Sequence, residues 1–576
     1  MRIRKTGNGL TVTAIAGTYV VVLGIDMAPA ATAGLLGFAI RRTDPTEDES
    51  YWLQGMRTFE ASYPNPPDGA LVSTHEHPIQ DFLWSDFTAK PGRNYSYEVV
   101  PVRGKPKKLQ YGASVAVDVT TEAEEVDPAL AGAGPAHSIY FNRGVIGSQA
   151  YARKWKVAPN KLVGPEHDEA MQWLSRGLDE AILKFIGQAD SARFGLRAAV
   201  YEFDYEPVIA AFQKAQEQCG NVKIVYDARV AVSRQGVPDK DQQSRVAEVD
   251  RLLQKYGLTA VATPRRTNPS YIAHNKFIVL LQDGEPVAVW TGSTNFTESG
   301  IYGQSNVGHM VRDEALAKKY LDYWMALAKD PTNDVLKDAN ETATSTLVDV
   351  PPPSGVTPLF SPRHGLGQLN WYGSAMQAAN LMTCFTGAFG INKVFLDVFA
   401  QDRDYLRYVF LEKWGVNANT AEATEKVLGK DHDIQVAVGT TLPADALYHW
   451  LGEQGNTLSK NVKYTHTKFM LVDPLGADPI VVSGSANFSD ASTADNDENM
   501  LVIRGDKRVA DIYVGEFMRL WRHYNFRYIV TTVDVQSGEP RHNYLAPDAS
   551  WAAPFFKPGS VKLKRRQAFG PDPDVS

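Results

Sequence analysis

Two stretches of this chain repeat the same polar pattern 192 residues apart (466 − 274), and that repeat constrains the fold more than any other feature. The first copy runs His274-Asn275-Lys276-Phe277, Gly292-Ser293-Thr294-Asn295-Phe296, then Gln304-Ser305-Asn306. The second runs His466-Thr467-Lys468-Phe469, Gly484-Ser485-Ala486-Asn487-Phe488, then Asn496-Asp497-Glu498. The offsets agree: 292 − 274 and 484 − 466 are both 18, and 306 − 274 and 498 − 466 are both 32. A packing repeat keeps apolar positions, whereas this one keeps histidine, lysine, serine and asparagine. The duplication therefore points to shared chemistry in two similar halves.

The segments around the repeat alternate helices and strands. A helical pattern over Glu169–Gln188 leads to an apolar strand at Phe194–Phe203, a helix at Pro207–Gln218 and a strand at Val222–Asp227. After Pro351-Pro352-Pro353 the pattern returns: helix Gln368–Leu381, strand Thr383–Phe389, helix Leu396–Gln401, and strands Leu406–Leu411 and Ile434–Val438. This is βαβ grammar, with a sheet flanked by helices. The first 125 residues differ. Short strands at Leu10–Ala14, Tyr19–Ile25, Leu35–Arg42, Phe82–Trp84, Tyr95–Val102 and Val115–Thr120, split by turn clusters, predict an all-β sandwich. The expected divisions are a sandwich over 1–125, halves over 136–348 and 355–535, and a C-terminal extension over 536–576, with Thr121–Gly134 as linker.

Within each copy the residues make local sense. In a strand, His and Lys two positions apart project to the same face. The glycines, Gly292 and Gly484, admit a tight backbone, and the following Ser and Asn offer short hydrogen-bonding side chains. Two such faces brought together would pool two imidazoles, two ammonium groups and two amides, a set complementary to a phosphate.

On these motifs the chain resembles the phospholipase D superfamily, whose members carry paired HxKxxxxD and GSxN motifs. The resemblance spans roughly Ala136–Tyr528. The second copy matches in full, with His466, Lys468, Asp473, Gly484, Ser485 and Asn487. In the first, the acidic position falls on Leu281, with Asp283 two residues further on. The resemblance implies an α/β fold in which two pseudo-symmetric α-β-α halves form one catalytic unit. It also implies catalysis through a covalent phosphohistidine without a metal, and a mainly structural motif Asp. Asp86–Val99 resembles the late strands of a fibronectin type III-like module.

The residues accord with a metal-free, cofactor-free route, since there is no HExxH, no zinc-spaced Cys/His set and no clustered carboxylate pair. One histidine would attack phosphorus while the other protonates the leaving alcohol and then activates water. A carboxylate partner favours an imidazolium, and an amide orients a ring without adding charge. Glu498 holds the partner position of the second copy; Asn306, or Gln304 nearby, holds it in the first. The expectation is therefore that His274 is the nucleophile and His466 the general acid. Lys276, Lys468, Asn295 and Asn487 would hold the phosphoryl oxygens, with Ser293, Ser485, Asn306 and Gln304 binding in support.

Composition narrows the substrate. A net charge of −7 from 59 basic and 66 acidic residues argues against a DNA-coating protein but leaves room for a local basic cleft. A phospholipid diester is the expected partner, nucleic acid the alternative, and a binding module with an inactive phosphodiesterase the reading from another class. Two cysteines, Cys219 and Cys384, make no disulfide scaffold. No stretch reaches the ~20 apolar residues of a membrane span. Residues Leu10 to Ile25 imitate a secretory signal, but their alternation predicts a β-hairpin. A cytoplasmic monomer is expected, with secretion the alternative if residues through Ala33 are a signal peptide. Arg265, Arg266 and Arg363 read as surface ion-pair residues, His309 and His523 as structural, Trp324, Trp371 and Trp521 as core, and the basic run Val561–Arg566 as a solvated terminus.

Overall fold

The structure, a computed structural model, describes the chain except for residues 68–69, 127–133, 145–150, 152–153, 158, 234, 269, 430–432, 440–464, 538–543 and 571–576. The interior of the expected linker and parts of the C-terminal extension thus lie outside the described residues.

The N-terminal region is all-β, built from two antiparallel sheets. One orders Arg2–Gly7, Leu10–Ala16, Val21–Met27 and Leu83–Asp86. The other centres on Asn94–Lys105, with Leu35–Asp44 and Glu49–Trp52 on one side and Lys108–Tyr111 and Val115–Thr120 on the other. Leu10–Ala16 and Val21–Met27 form the expected hairpin. Both faces of this pair are covered, which is why its sequence looks like a continuous apolar run. Val12, Ala14, Val21 and Leu23 enter the sandwich core, whereas Ile15, Val20 and Val22 pack into the core shared with the rest of the molecule.

The α/β region contains two seven-stranded sheets of identical order. The first runs Ala136–Phe141, Val307–Arg312, Glu285–Gly292, Lys276–Gln282, Phe194–Val200, Val222–Asp227, Ala262–Arg265. The second runs Gly355–Ser361, Glu498–Arg504, Ile480–Gly484, Phe469–Val472, Met382–Gly387, Leu406–Leu411, Ile434–Val438. Helix Glu314–Leu327 lies on the first sheet, and the long helix Lys507–Ser537 follows the corresponding strand of the second. The former starts where the Asp313 carboxylate accepts from Leu316 N at 2.7 Å. Its buried Leu316, Tyr320, Tyr323, Trp324 and Leu327 recur at helical spacing. That stripe joins Phe277, Phe360 and Phe469 in one core running between the halves.

Three expectations are corrected. The helical pattern over Glu169–Gln188 divides into Pro165–Ser175 and Leu178–Gly187, because Arg176 (φ 50) and Gly177 (φ 87) take left-handed conformations. That turn aims Arg176 inward, where its Nε donates to Phe141 O at 2.8 Å and its Nη2 pairs with Glu516 at 2.5 Å. The basic run is not a loose terminus. It forms helix Val561–Phe569, in which Lys564 pairs with Asp433 at 2.5 Å, Arg565 with Asp81 at 2.7 Å, and Arg566 with Asp26. This helix packs on Val21–Met27 and Leu406–Leu411, joining the sandwich to the second half. Arg265 and Arg363 are buried rather than on the surface, at 4% and 2% exposure.

Candidate active site

Corresponding strand ends of the two sheets meet across a two-fold-like seam. In the first half, His274 precedes Lys276–Gln282, Gly292 ends the next strand and Asn306 precedes Val307–Arg312, so all three lie at one sheet edge. The second half places His466, Gly484 and Glu498 likewise. The glycines are demanded by close approach: a Cβ on Gly292 would stand 2.2 Å from Val307 O, and one on Gly484 2.2 Å from Asn499 O. The seam itself is backbone. His274 N donates to Asp497 O at 2.9 Å and His466 N donates to Ser305 O at 3.1 Å. Parallel bridges Ala273–Asp497 and Ser305–Thr465 flank them.

These bridges set each histidine beside the partner residue of the other copy. His274 Nδ1 lies 2.9 Å from both carboxylate oxygens of Glu498. His466 Nδ1 lies 3.0 Å from Asn306 Oδ1 and 3.1 Å from Ser293 O. The expected allocation, in which Glu498 served its own copy, is therefore reversed: the carboxylate belongs to His274 and the amide to His466. The serines complete the exchange. Ser485 Oγ donates to Glu498 at 2.5 Å and Ser293 Oγ donates to Asn306 at 2.8 Å. Both hydroxyls and the Asn306 side chain are thus engaged in hydrogen bonds around the imidazole partners. Gln304 contributes its carbonyl, which accepts from Asn142 Nδ2 at 2.7 Å.

The lysines are buried beside the rings. Lys276 Nζ donates to His274 O at 2.6 Å and Lys468 Nζ to His466 O at 2.7 Å. Burial lowers Lys276 to about 8 and pushes Lys468 well below the usual ammonium range. Burial, then the two ammonium groups, hold both imidazoles well below their ordinary value. Burial raises Glu498 to about 7, against the pull of Lys276. The site thus gathers four buried basic groups whose charged forms are disfavoured without a counter-ion, and a bound anion would favour them.

Asn295 and Asn487 take equivalent places. Asn295 Nδ2 donates to Glu202 at 2.5 Å, and Oδ1 of both asparagines is buried without a hydrogen-bond partner. Two neighbours were not visible in the motifs. The Tyr201 ring lies 4.8 Å from the His274 ring and 5.2 Å from Lys276 Nζ, and Glu202 follows it. Strand register puts Ala388 and Phe389 at the corresponding positions of the second half, so the carboxylate at this level is supplied by the first half and has no counterpart in the second. Their signal was positional: they follow the strand that pairs with each HxK strand.

The motif acid also has a counterpart. Asp473 (φ 44) caps a turn, accepting from Asn380, Leu381 and Met382 N at 2.7–2.9 Å. In the first half Asp283 (φ 54), not Leu281, takes that turn; its N donates to Arg193 O as Asp473 N donates to Met382 O. Strand Lys276–Gln282 outruns Phe469–Val472 and closes on a tight turn, whereas the second half has a longer loop before Ile480. The 18-residue spacing survives because strand length and loop length trade off. The Asp283 side chain instead pairs with Arg193 at 2.6 Å.

Around the pair, buried ions tie the halves together. Arg265 reaches Asp497 at 3.0 Å and Asp330 at 2.7 Å, so the residue before Glu498 is anchored to the first sheet. Arg363 donates to Phe360 O and Thr344 O, and exposed Arg266 holds Asp330 through its backbone N. His309 lies 2.9 Å from His137 and 3.1 Å from Tyr513 Oη in the core. Trp324, Trp371 and Trp521 each donate to a backbone carbonyl in or beside the core, and His523 packs edge-on against Tyr524.

A family model described as the PLD-like domain of cardiolipin synthase matches residues 185–327 and 420–521, which contain both histidine-lysine pairs. No curated protein matches the chain. Among solved structures, a phosphatidylserine synthase of Haemophilus influenzae Rd KW20 is similar at 12% identity and a TM-score of 0.41, over 69% of this chain and 94% of that one. The yeast tyrosyl-DNA phosphodiesterase is similar at 13% identity and 0.32, over 57% and 85%. A polyphosphate kinase of Porphyromonas gingivalis is similar at 11% identity and 0.35; the match covers 56% of this chain and 42% of that one, less than half its length.

Proposed function

Since the chain carries a phospholipase D-like domain in two repeats, we propose that it hydrolyses a phosphodiester through a phosphohistidine, with His274 as nucleophile and His466 as general acid. The observation that carries this reading is the crossed and unequal support of the two rings. With Nδ1 of each imidazole engaged, Nε2 is the atom left to react. Attack by His274 Nε2 on phosphorus creates a cationic N-phosphoimidazolium, and the Glu498 carboxylate beside it offsets that charge. His466 must surrender its proton to the leaving oxygen. A neutral amide partner does not hold that proton as a carboxylate would. The proposed assignment is the same as the expected one, but it is argued from the opposite pairing.

The steps balance as follows. The P–N bond to His274 forms as the P–O bond to the alcohol breaks, and the His466 proton passes to the departing oxygen. Water then attacks phosphorus, gives a proton to His466, and the P–N bond breaks. Lys276, Lys468, Asn295 and Asn487 would hold the non-bridging oxygens. Ser293, Ser485 and Asn306 act through the rings. A phospholipid is the favoured diester, because the chain is acidic overall, at a net charge of −7, which disfavours a nucleic-acid backbone.

Quenching the enzyme during turnover in alkaline denaturant, where the P–N bond survives, and mapping the modified residue by mass spectrometry tests the assignment. Label on His274 is expected, and label on His466 would reverse the roles. Head-group release from phosphatidylcholine vesicles in the presence of chelator is the substrate test; cutting of DNA under those conditions, without head-group release, would replace lipid with nucleic acid.

A further inference from the structure

A groove between the N-terminal sandwich and the first half is lined by Tyr19, Lys90, Arg93, Arg143, Trp173 and Arg176. Most of its charges are matched. Lys90 and Arg93 both pair with Glu47, Arg176 pairs with Glu516, and the facing Glu180 is held by Ser175 Oγ at 2.7 Å. Arg143 is the exception. Its guanidinium lies 4.4 Å over the Trp173 ring, and its side chain donates to no described residue; Nε is buried without a partner. Glu516 is already shared between Arg176 and Arg519, at 2.5 and 2.7 Å, so three guanidinium groups crowd one carboxylate. Burial and those two arginines push Arg143 down to about 9.

A half-buried, stacked guanidinium with its fork unspent costs free energy unless something outside the chain meets it. We propose that this groove binds a phosphate-type oxyanion, free or as an anionic lipid head group, with Arg143 as the principal donor and the Trp173 face fixing its plane. The location is distinct from the histidine pair but close in sequence to its support. Asn142, one residue before Arg143, accepts from Asn306 N at 2.9 Å, and its own carbonyl accepts from Arg519 at 3.0 Å. An anion here would compensate the unmatched Arg143 charge in a groove that no residue of the histidine site lines.

Titration calorimetry of the full chain with inorganic phosphate, on wild type and Arg143→Gln, tests the site. The wild type should show one more class of phosphate site than the variant, and turnover of a small soluble diester should be equal in both. Without phosphate the variant should still unfold cooperatively and keep its native circular dichroism, since it loses the stack on Trp173 and a repelled cation but no hydrogen bond, so misfolding would not mimic the result. Equal numbers of sites in the two proteins would overturn the proposal. Vesicles containing phosphatidic acid separate the sources. Weaker sedimentation of the variant with such vesicles identifies a lipid head group, whereas equal sedimentation beside a lost phosphate site identifies a soluble anion.

Discussion

His274 and Glu498 stand 224 positions apart in the chain, yet the imidazole Nδ1 lies 2.9 Å from each oxygen of the carboxylate. The pair is formed across the seam between the repeats, not within either of them. Its counterpart, His466 with Asn306, is built the same way with an amide.

That difference predicts unequal costs. Glu498→Gln should keep the fold and lower kcat by about 100- to 10,000-fold, the range expected when an imidazole loses the carboxylate that stabilises its cation. Asn306→Asp should cost less and should move the alkaline limb of the pH profile upward, because a carboxylate would hold the His466 proton more firmly. Steady-state kinetics on one soluble diester checks both; equal losses with unmoved pH limbs would contradict the assignment.

A pH dependence follows from the buried cations. His466 must be protonated to act as acid, and burial with Lys468 and Lys276 holds it well below its ordinary value. In the free enzyme kcat/KM should therefore fall as pH rises, with its limb on the acid side of neutrality. A bound diester anion offsets the ammonium charges, so the corresponding limb in kcat should lie at higher pH. Coincident limbs would refute this electrostatic account.

Burial of Glu498 makes a separate statement about stability. Its folded value, about 7, exceeds its ordinary 4.5, so between those limits the folded protein holds more proton than the unfolded chain. Stability should decline as pH rises through that window, and Glu498→Gln should flatten the decline. Denaturant melts at several pH values provide the measurement, and an unchanged slope in the variant would count against it.

The Arg265–Asp497 pair is desolvated and joins the halves. Arg265→Met should destabilise by about 3–5 kcal/mol, because Asp497 is left buried and unpaired. Arg265→Met with Asp497→Asn should recover much of that loss. Additive losses in the double variant would show that the two residues do not interact energetically.

Gly24 faces the C-terminal helix so closely that a Cβ would fall 1.8 Å from Phe569 O. Gly24→Ala should displace helix Val561–Phe569, lower the melting temperature and expose Lys562–Arg566 to trypsin. Undiminished resistance would mean the helix is not seated there.

The repeat made the inventory of the candidate site legible, since histidine, lysine and the glycine-serine turns recur in register, and βαβ grammar indicated a sheet flanked by helices without giving the strand order, because most of its pairings are antiparallel. Partner allocation was not legible. Spacing within a copy suggests that Glu498 serves His466, and only the backbone bridges at Asp497 and Ser305 exchange the partners. Leu281 was misleading for a related reason: residue counting cannot distinguish a longer strand from a longer loop, so Asp283 looked displaced from a turn that it occupies. Local periodicity also carried Glu169–Gln188 through Arg176, whose inward pairing with Glu516 belongs to tertiary structure. The basic run Lys562–Arg566 read as solvated because its acidic partners, Asp26, Asp81 and Asp433, lie far away in sequence.

Thr13 donates to Gly570 O, a partner synthesised 557 residues later. At a translation rate of roughly 5–20 residues per second, the outer face of the hairpin waits on the order of a minute before its cover emerges. Until then Ile15, Val20 and Val22 lack the part of their cover that Ala568 and Phe569 supply in the folded chain.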